Sequence, residues 1–200
     1  MSDPKTLLAL AGASFGPAPL SQAALLIIDA QNEYLDGTLA LPGIAPALAE
    51  IETLLSRARA LKRPVIHVRH MGKPGGLFDA EGRAGQIVDQ LRPEAGEPTI
   101  EKTLPNAFAG TDLKALVDEL DIKQFVVTGF MTHMCVSATV RAAVDNGLFS
   151  TVVANACGTR DLPSATGGDP VPAQALHEAT LAALADRFAV VVPGAGDIPD

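Results

Sequence analysis

Short apolar runs recur along the chain, and between most of them apolar residues return every three or four positions. Ala23-Ala24-Leu25-Leu26-Ile27-Ile28 contains no polar residue, the pattern of a strand buried on both faces of a parallel sheet. From Ile44 to Leu61, Leu48, Ile51, Leu54, Leu55 and Ala58 share one helical face, and Pro64 stops that helix. Val65-Ile66-His67-Val68 predicts a second strand and Thr99-Ile100-Glu101 a third. Asp112 to Leu120 places Leu113, Leu116, Val117 and Leu120 on one helical side, and Phe125-Val126-Val127-Thr128 follows as a strand. Cys135 to Asn146 predicts a helix closed by Gly147 as a left-handed residue. Thr151 to Ala154, a helix from Pro172 to about Asp186, and Ala189 to Val192 complete the alternation. Six strands with intervening helices imply an α/β fold: a doubly wound, mainly parallel sheet with helices on both faces and right-handed crossovers. Sites in such a sheet form beyond the carboxyl ends of the strands.

Two connections exceed what a strand-to-helix link requires. Residues 70–98 and Thr159 to Pro172 are rich in Gly and Pro, and long loops inside a domain commonly serve as lids or binding loops. The first is expected to hold a helical turn or two between Gly85 and Leu91. Residues 1–22, with Pro17 and Pro19, are expected to form an arm on the body or on a neighbouring subunit, and residues 23–200 a single domain. Leu7-Leu8-Ala9-Leu10-Ala11 follows Asp3 and is not preceded by a basic n-region, so it is not expected to be a signal peptide.

Composition narrows the partners. A formal charge of −8 with no Lys/Arg cluster argues against nucleic acid and anionic membrane, which leaves a small-molecule substrate. The apolar runs are too short to span a bilayer. Cys135 and Cys157 are the two cysteines, too few for a disulfide framework, and they imply reduced thiols in the cytoplasm.

Three polar residues stand at predicted strand ends. Asp29 follows the first strand, Lys102 the third and Cys135 the fourth. Singly, Asp29 is equally explained as a turn cap, Lys102 as a solvated cation and Cys135 as a small buried hydrophobe. Together at one sheet edge they are a candidate catalytic constellation. A thiol in a first helical turn is expected to feel the helix dipole and unpaired N–H groups, which favour thiolate and offer an oxyanion site.

Leu26-Ile27-Ile28-Asp29-Ala30-Gln31, the segment from Glu101 to Thr111, and Gly129-Phe130-Met131-Thr132-His133-Met134-Cys135-Val136 followed by Thr139 to Ala143 carry a resemblance. Over about Ala23 to Val192 the sequence resembles the isochorismatase-like cysteine hydrolase superfamily, which includes nicotinamidases and N-carbamoylsarcosine amidohydrolases. The resemblance implies an Asp-Lys-Cys triad at Asp29, Lys102 and Cys135, and a cis peptide from Phe130 to Met131. It also implies cleavage of an amide, carbamoyl or cyclic amide bond through a thioester. The segments Gln31 to Tyr34, His70 to Gly72 and Arg160 to Pro163 look most like the streptothricin-hydrolase-like branch. Isochorismatases that cleave a vinyl ether commonly lack the Cys, so that activity is the alternative. The Asp-x-His element of metal-binding nicotinamidases is replaced by His67-Val68-Arg69-His70, whose histidines are expected on opposite faces of a strand; no metal or other cofactor is expected.

In the mechanism so implied, Asp29 takes the Cys135 proton, Lys102 stabilises both negative charges, and the Met131 and Cys135 N–H groups form the oxyanion hole. Gln31, Tyr34, Phe108 and His133 are the candidate substrate-binding residues, and a homo-oligomer, dimer or tetramer, is expected. Two further readings stay open. A redox thiol resolved by Cys157 fits less well, because a peroxidatic Cys gains nothing from an adjacent carboxylate. A catalytically silent binding module on the same fold is the other.

Overall fold

The structure is a computed structural model and describes residues 3–13 and 15–200. Its centre is a six-stranded sheet of β1 (Ala24–Ile28), β2 (Val65–His70), β3 (Thr99–Lys102), β4 (Gln124–Phe130), β5 (Phe149–Gly158) and β6 (Val190–Val192). The order is β3-β2-β1-β4-β5-β6, and every neighbouring pair is parallel. The fold is therefore the doubly wound α/β sheet that the alternation predicts. The chain winds outward from β1 to β3 and then crosses back to β4, so the switch in direction lies between β1 and β4, where ligand crevices open in such sheets.

Two separate cores cover the two faces. One holds Leu25 and Ile27 of β1 and Val126 of β4 against helix α3 (Ile44–Ala60), whose Leu48, Ile51, Leu54, Leu55 and Ala58 are buried. The other holds Leu26, Ile28 and Val127 against α4 (Leu113–Glu119), α5 (Ser137–Asp145) and α6 (Ala173–Arg187) through Val117, Val140 and Leu184. Alternate β1 residues thus serve opposite cores, which is why the strand has no polar position. Fully burying each of these Leu, Ile or Val side chains is worth about 1.5–3 kcal/mol. Gly147 closes α5 in the left-handed conformation, at φ 73°.

At the switch point the backbones are unusually close. Gly129 has φ +115°, and a Cβ there would lie 2.0 Å from the Ile28 carbonyl oxygen. Only glycine fits.

The N-terminal segment carries a short helix, α1 (Leu7–Leu10), and packs on the body. The Leu7 N–H donates to Asp186, and the Ala18 N–H to the Thr151 hydroxyl; Ala18 and Leu20 join the α3-side core. Met1, Ser2 and Ser14 of the expected arm lie outside the described residues.

Three of the differences from the sequence expectation bear on the site. The loop after β1 contains a helix, α2 (Asn32–Asp36). Five residues are too short to show a periodicity, and tertiary bonds hold them: Glu33 is buried and its carboxylate accepts the Leu39 and Phe78 N–H groups. Strand β5 runs on to Gly158, past the expected end at Ala154, and its register with β4 shifts between Val127 and Gly129. Cys157 therefore lies in β5 and not after it. The helix expected to begin at Cys135 is preceded by a π-helical turn, Thr132–Val136, so Cys135 is outside the first turn of α5.

Candidate active site

Asp29 sits one residue beyond β1 with φ 51°, a left-handed conformation that Asp tolerates better than most residues. Its N–H donates to the Val68 carbonyl, which ties the turn to β2. Lys102 is the last residue of β3, two strands from β1. Its long stem crosses β2, and Nζ donates to Asp29 Oδ2 at 2.7 Å and to Cys135 Sγ at 3.4 Å. All three side chains are buried. Asp29 Oδ1, also buried, makes no well-formed hydrogen bond, and the Cys135 thiol lies close enough to the carboxylate to influence both groups, so this oxygen is placed to receive a proton.

Cys135 is delivered from the far side of the switch point. The Phe130–Met131 peptide that follows β4 is cis, and the Met134 and Val136 N–H groups both bond to the Met131 carbonyl. These two bonds wind the turn wide, and the thiol stands 3.4 Å from Lys102 Nζ.

Burial decides the resting charge state. It raises the Asp29 carboxyl above its ordinary value, against the pull of the Lys102 ammonium. Burial also pushes the Cys135 thiol up to about 12, helped by the Asp29 charge and opposed by Lys102. The thiolate expected from a helix-start position is thus not the resting form: desolvation outweighs any dipole. The resting site is a thiol next to a base of raised pKa, an arrangement suited to proton transfer during attack.

Of the residues expected to touch substrate, the structure distributes them unequally. Gln31 is fully buried, and its amide is saturated by the His70 N–H, the His70 carbonyl and the Gly85 carbonyl. This places it behind the site as a brace and not on the substrate. Tyr34 is buried edge-on against Phe78 and Phe130, with ring centroids 5.1 and 5.8 Å away. Its pKa is raised, first by burial and then by the charges of Cys135 and Asp29, so it lies near the triad. Phe108 is half-buried and packs against the core that contains Cys135. Its loop is anchored by the bond from the Ala107 N–H to the Thr139 hydroxyl. His133, half-buried in the π turn, has Nδ1 2.6 Å from the Thr159 hydroxyl. Thr132, the first residue of that turn, hydrogen-bonds the Gly158 carbonyl and His177. A cavity of about 370 Å³ opens beyond them, lined by Gly158, Thr159, Gln174 and His177 among others.

Two residues at the site are not among the candidate site residues read from the sequence. His70 lies 3.3 Å from Lys102 Nζ through Nδ1, and burial with the Lys102 charge lowers its pKa to about 4. Arg160 has a buried Nε with no partner, and its charge reaches both Tyr34 and His133. The signal for His70 was available in strand register, since it pairs directly with Lys102, but register is not visible before the sheet is assembled. His67 points to a different environment: it is buried, with Nε2 3.0 Å from Glu97. The rings of the two histidines accordingly meet different partners. Among the described residues no group of three or more His, Cys, Asp or Glu side chains is placed to hold a metal ion.

Comparison with known proteins identifies the family. The family model described as the isochorismatase domain matches residues 23–195. A solved isochorismatase from Pseudomonas putida KT2440 is 48% identical, superposes with a TM-score of 0.91, and covers 96% of this chain and 97% of its own. The secreted isochorismatase effector Isc1 of Verticillium dahliae is 35% identical over 88% of this chain and 90% of its own length. Streptothricin hydrolase of Streptomyces noursei is 33% identical over 88% of this chain and 64% of its own.

Proposed function

The chain belongs to the isochorismatase family of hydrolases, and from that premise we propose that it is a cysteine-dependent hydrolase of a carbon–nitrogen bond in a small molecule. The observation that carries this reading is the buried Lys102 ammonium bonded to both Asp29 and Cys135, with Asp29 Oδ1 left unpartnered.

Asp29 removes the thiol proton as Cys135 Sγ bonds to the carbonyl carbon of an amide, carbamoyl group or lactam. Lys102 offsets the negative charge that passes between the two groups. The Met131 and Cys135 N–H groups hold the oxygen of the tetrahedral intermediate, at roughly 3 kcal/mol per donor. The C–N bond breaks as Asp29 returns the proton to nitrogen, leaving a thioester. Water, deprotonated by Asp29, releases the acid and regenerates the thiol. Tyr34, Phe108 and His133 line the approach, and the free Nε of Arg160 offers a donor to a substrate acceptor. The resemblance of Gln31 to Tyr34, His70 to Gly72 and Arg160 to Pro163 to the streptothricin-hydrolase-like branch, which opens a cyclic amide, favours a lactam as one form of the substrate, and a streptothricin hydrolase is among the relatives.

The reading includes a cytoplasmic setting that keeps both free thiols reduced and assembly of the chain with itself, checked by light scattering. No helix among the described residues is long and apolar enough to cross a membrane.

The test is a panel of primary amides, carbamoyl compounds and lactams, acid-quenched and examined by intact mass. An acyl adduct on Cys135 with stoichiometric amine release is expected. Turnover of a vinyl ether with no adduct would replace this reading.

A further inference from the structure

The mechanism makes no use of His70, yet the sheet sets it directly beside the ammonium. His70 ends β2, Lys102 ends β3, and the two are partners in parallel register, so their side chains leave the same face. To reach Asp29 from β3 the Lys102 stem must cross β2, and it does so over His70. An ammonium has three N–H donors and no acceptor. Here three acceptors surround it: Asp29 Oδ2 at 2.7 Å, His70 Nδ1 at 3.3 Å and Cys135 Sγ at 3.4 Å. At 2% exposure, Lys102 has little access to water that could take the place of any of them.

The contact dictates the tautomer. Because Lys102 can only donate, Nδ1 must present its lone pair, and the ring proton resides on Nε2. The backbone of His70 is clamped on both sides by one side chain: its N–H donates to Gln31 Oε1 at 2.8 Å, and its carbonyl accepts from Gln31 Nε2 at 2.9 Å. Phe78 packs against the ring, with centroids 5.2 Å apart. The neighbouring charges of β2 and β3, Arg69 and Glu101, alternate to the other face and pair with each other. The charge that acts on the ring is that of Lys102; Asp29 and Cys135 share the same ammonium, and Tyr34 packs on the Phe78 that covers the ring.

We infer that His70 is a positioning residue for Lys102: its Nδ1 lone pair takes the third ammonium N–H and, with Gln31 bracing its backbone, aims the charge at Asp29 and Cys135. His70 acts through Lys102 and touches no reacting atom. The lowered pKa of the ring keeps it neutral, and able to accept, through the neutral range. This inference rests on the proposed use of Lys102 and adds what holds the ammonium in place.

The test compares the pH profile of Cys135 alkylation by iodoacetamide in the full chain, in Lys102→Met, in His70→Leu, which has no acceptor, and in His70→Asn, whose amide oxygen can stand near the Nδ1 position. His70→Leu is expected to move the profile up by roughly one pH unit, the worth of one hydrogen bond to a charged group. It should lower kcat about tenfold with KM little changed, and His70→Asn should recover part of both. A shift in Lys102→Met with none in His70→Leu overturns the inference and leaves the proposed function intact. No shift in Lys102→Met removes the proposed role of Lys102 itself, and with it this inference. Equal loss in His70→Asn and His70→Leu overturns positioning through Nδ1. Should His70→Leu not fold, nitrogen-15 spectra of the histidine rings in the unaltered protein decide the matter. A neutral Nε2–H ring from pH 5.5 to 8 is expected, and an Nδ1–H ring, or protonation near pH 6.5, overturns it.

Discussion

Lys102 Nζ lies 2.7 Å from Asp29 Oδ2 with neither side chain exposed to solvent. A buried ion pair of this kind is weak evidence for stability, since desolvation offsets much of the Coulomb gain. Its chemical consequence is clearer. Burial alone favours the protonated form of Asp29, and Lys102 is the cation that opposes this.

Replacing Lys102 by Met should therefore remove the base together with the cation. Asp29 would hold its proton at neutral pH in preference to an unpaired buried charge. Hydrolysis is expected to fall by about 10²–10⁴-fold, the usual contribution of acid–base catalysis. Infrared absorption of the Asp29 carboxyl, read against Asp29→Asn, should show the protonated acid in the variant at pH 7. A fully ionised Asp29 there would contradict the argument.

The two thiols should separate cleanly. Cys135→Ala is expected to lower turnover by on the order of 10⁴-fold or more, as removal of a nucleophile does, with the thermal transition little changed. Cys157 is buried inside β5, and burial pushes its thiol up to about 12. Cys157→Ala should leave the rate within about twofold. Comparable losses in both variants would favour a redox pair.

Acid should destabilise the fold well above the carboxylate range. All four histidines have lowered pKa values, each chiefly through burial. A group with a depressed folded pKa contributes stability that is complete above its unfolded value of 6.5 and is lost as pH falls through its folded value. For His70 that window runs from 6.5 to about 4. Asp29, with a raised pKa, works in the opposite direction but alone. The melting temperature should therefore drop between pH 7.5 and pH 5, by about 2–4 °C for each kcal/mol lost. A flat or rising profile would refute this.

Gly129→Ala should cost more than about 1 kcal/mol, because the left-handed conformation and the Ile28 carbonyl both exclude a Cβ. The variant is also expected to lose activity beyond what its stability explains, since β1 and β4 carry the opposing walls of the site. Chemical denaturation followed by kcat on the folded fraction measures the two losses separately.

Extensive dialysis against a chelator should leave hydrolysis unchanged. His67 is engaged with Glu97, and His70 with Lys102, so neither histidine is free to share an ion with the other. Loss of activity on chelation, restored by zinc or iron, would show a metal requirement.

The local pattern of the chain was sufficient for the order of strands and helices, because burial on one or both faces imposes a period within each segment. It also put Asp29, Lys102 and Cys135 at strand ends, where a doubly wound sheet builds its crevice. It did not reveal α2, whose buried Glu33 answers to Leu39 and Phe78, nor the length of β5, which depends on a register shift against β4. The protonation of Cys135 was also beyond it: a helix-start position suggests a thiolate, whereas the folded site buries the thiol beside a carboxylate. Gln31 and His70 show the same division most plainly. Their bonds join residues 39 apart, and the neighbours of Lys102 come from β1, β2 and the turn after β4. A residue's own segment determines which face it occupies, but desolvation and hydrogen bonding depend on what the other strands bring to that face, and only the assembled sheet decides that.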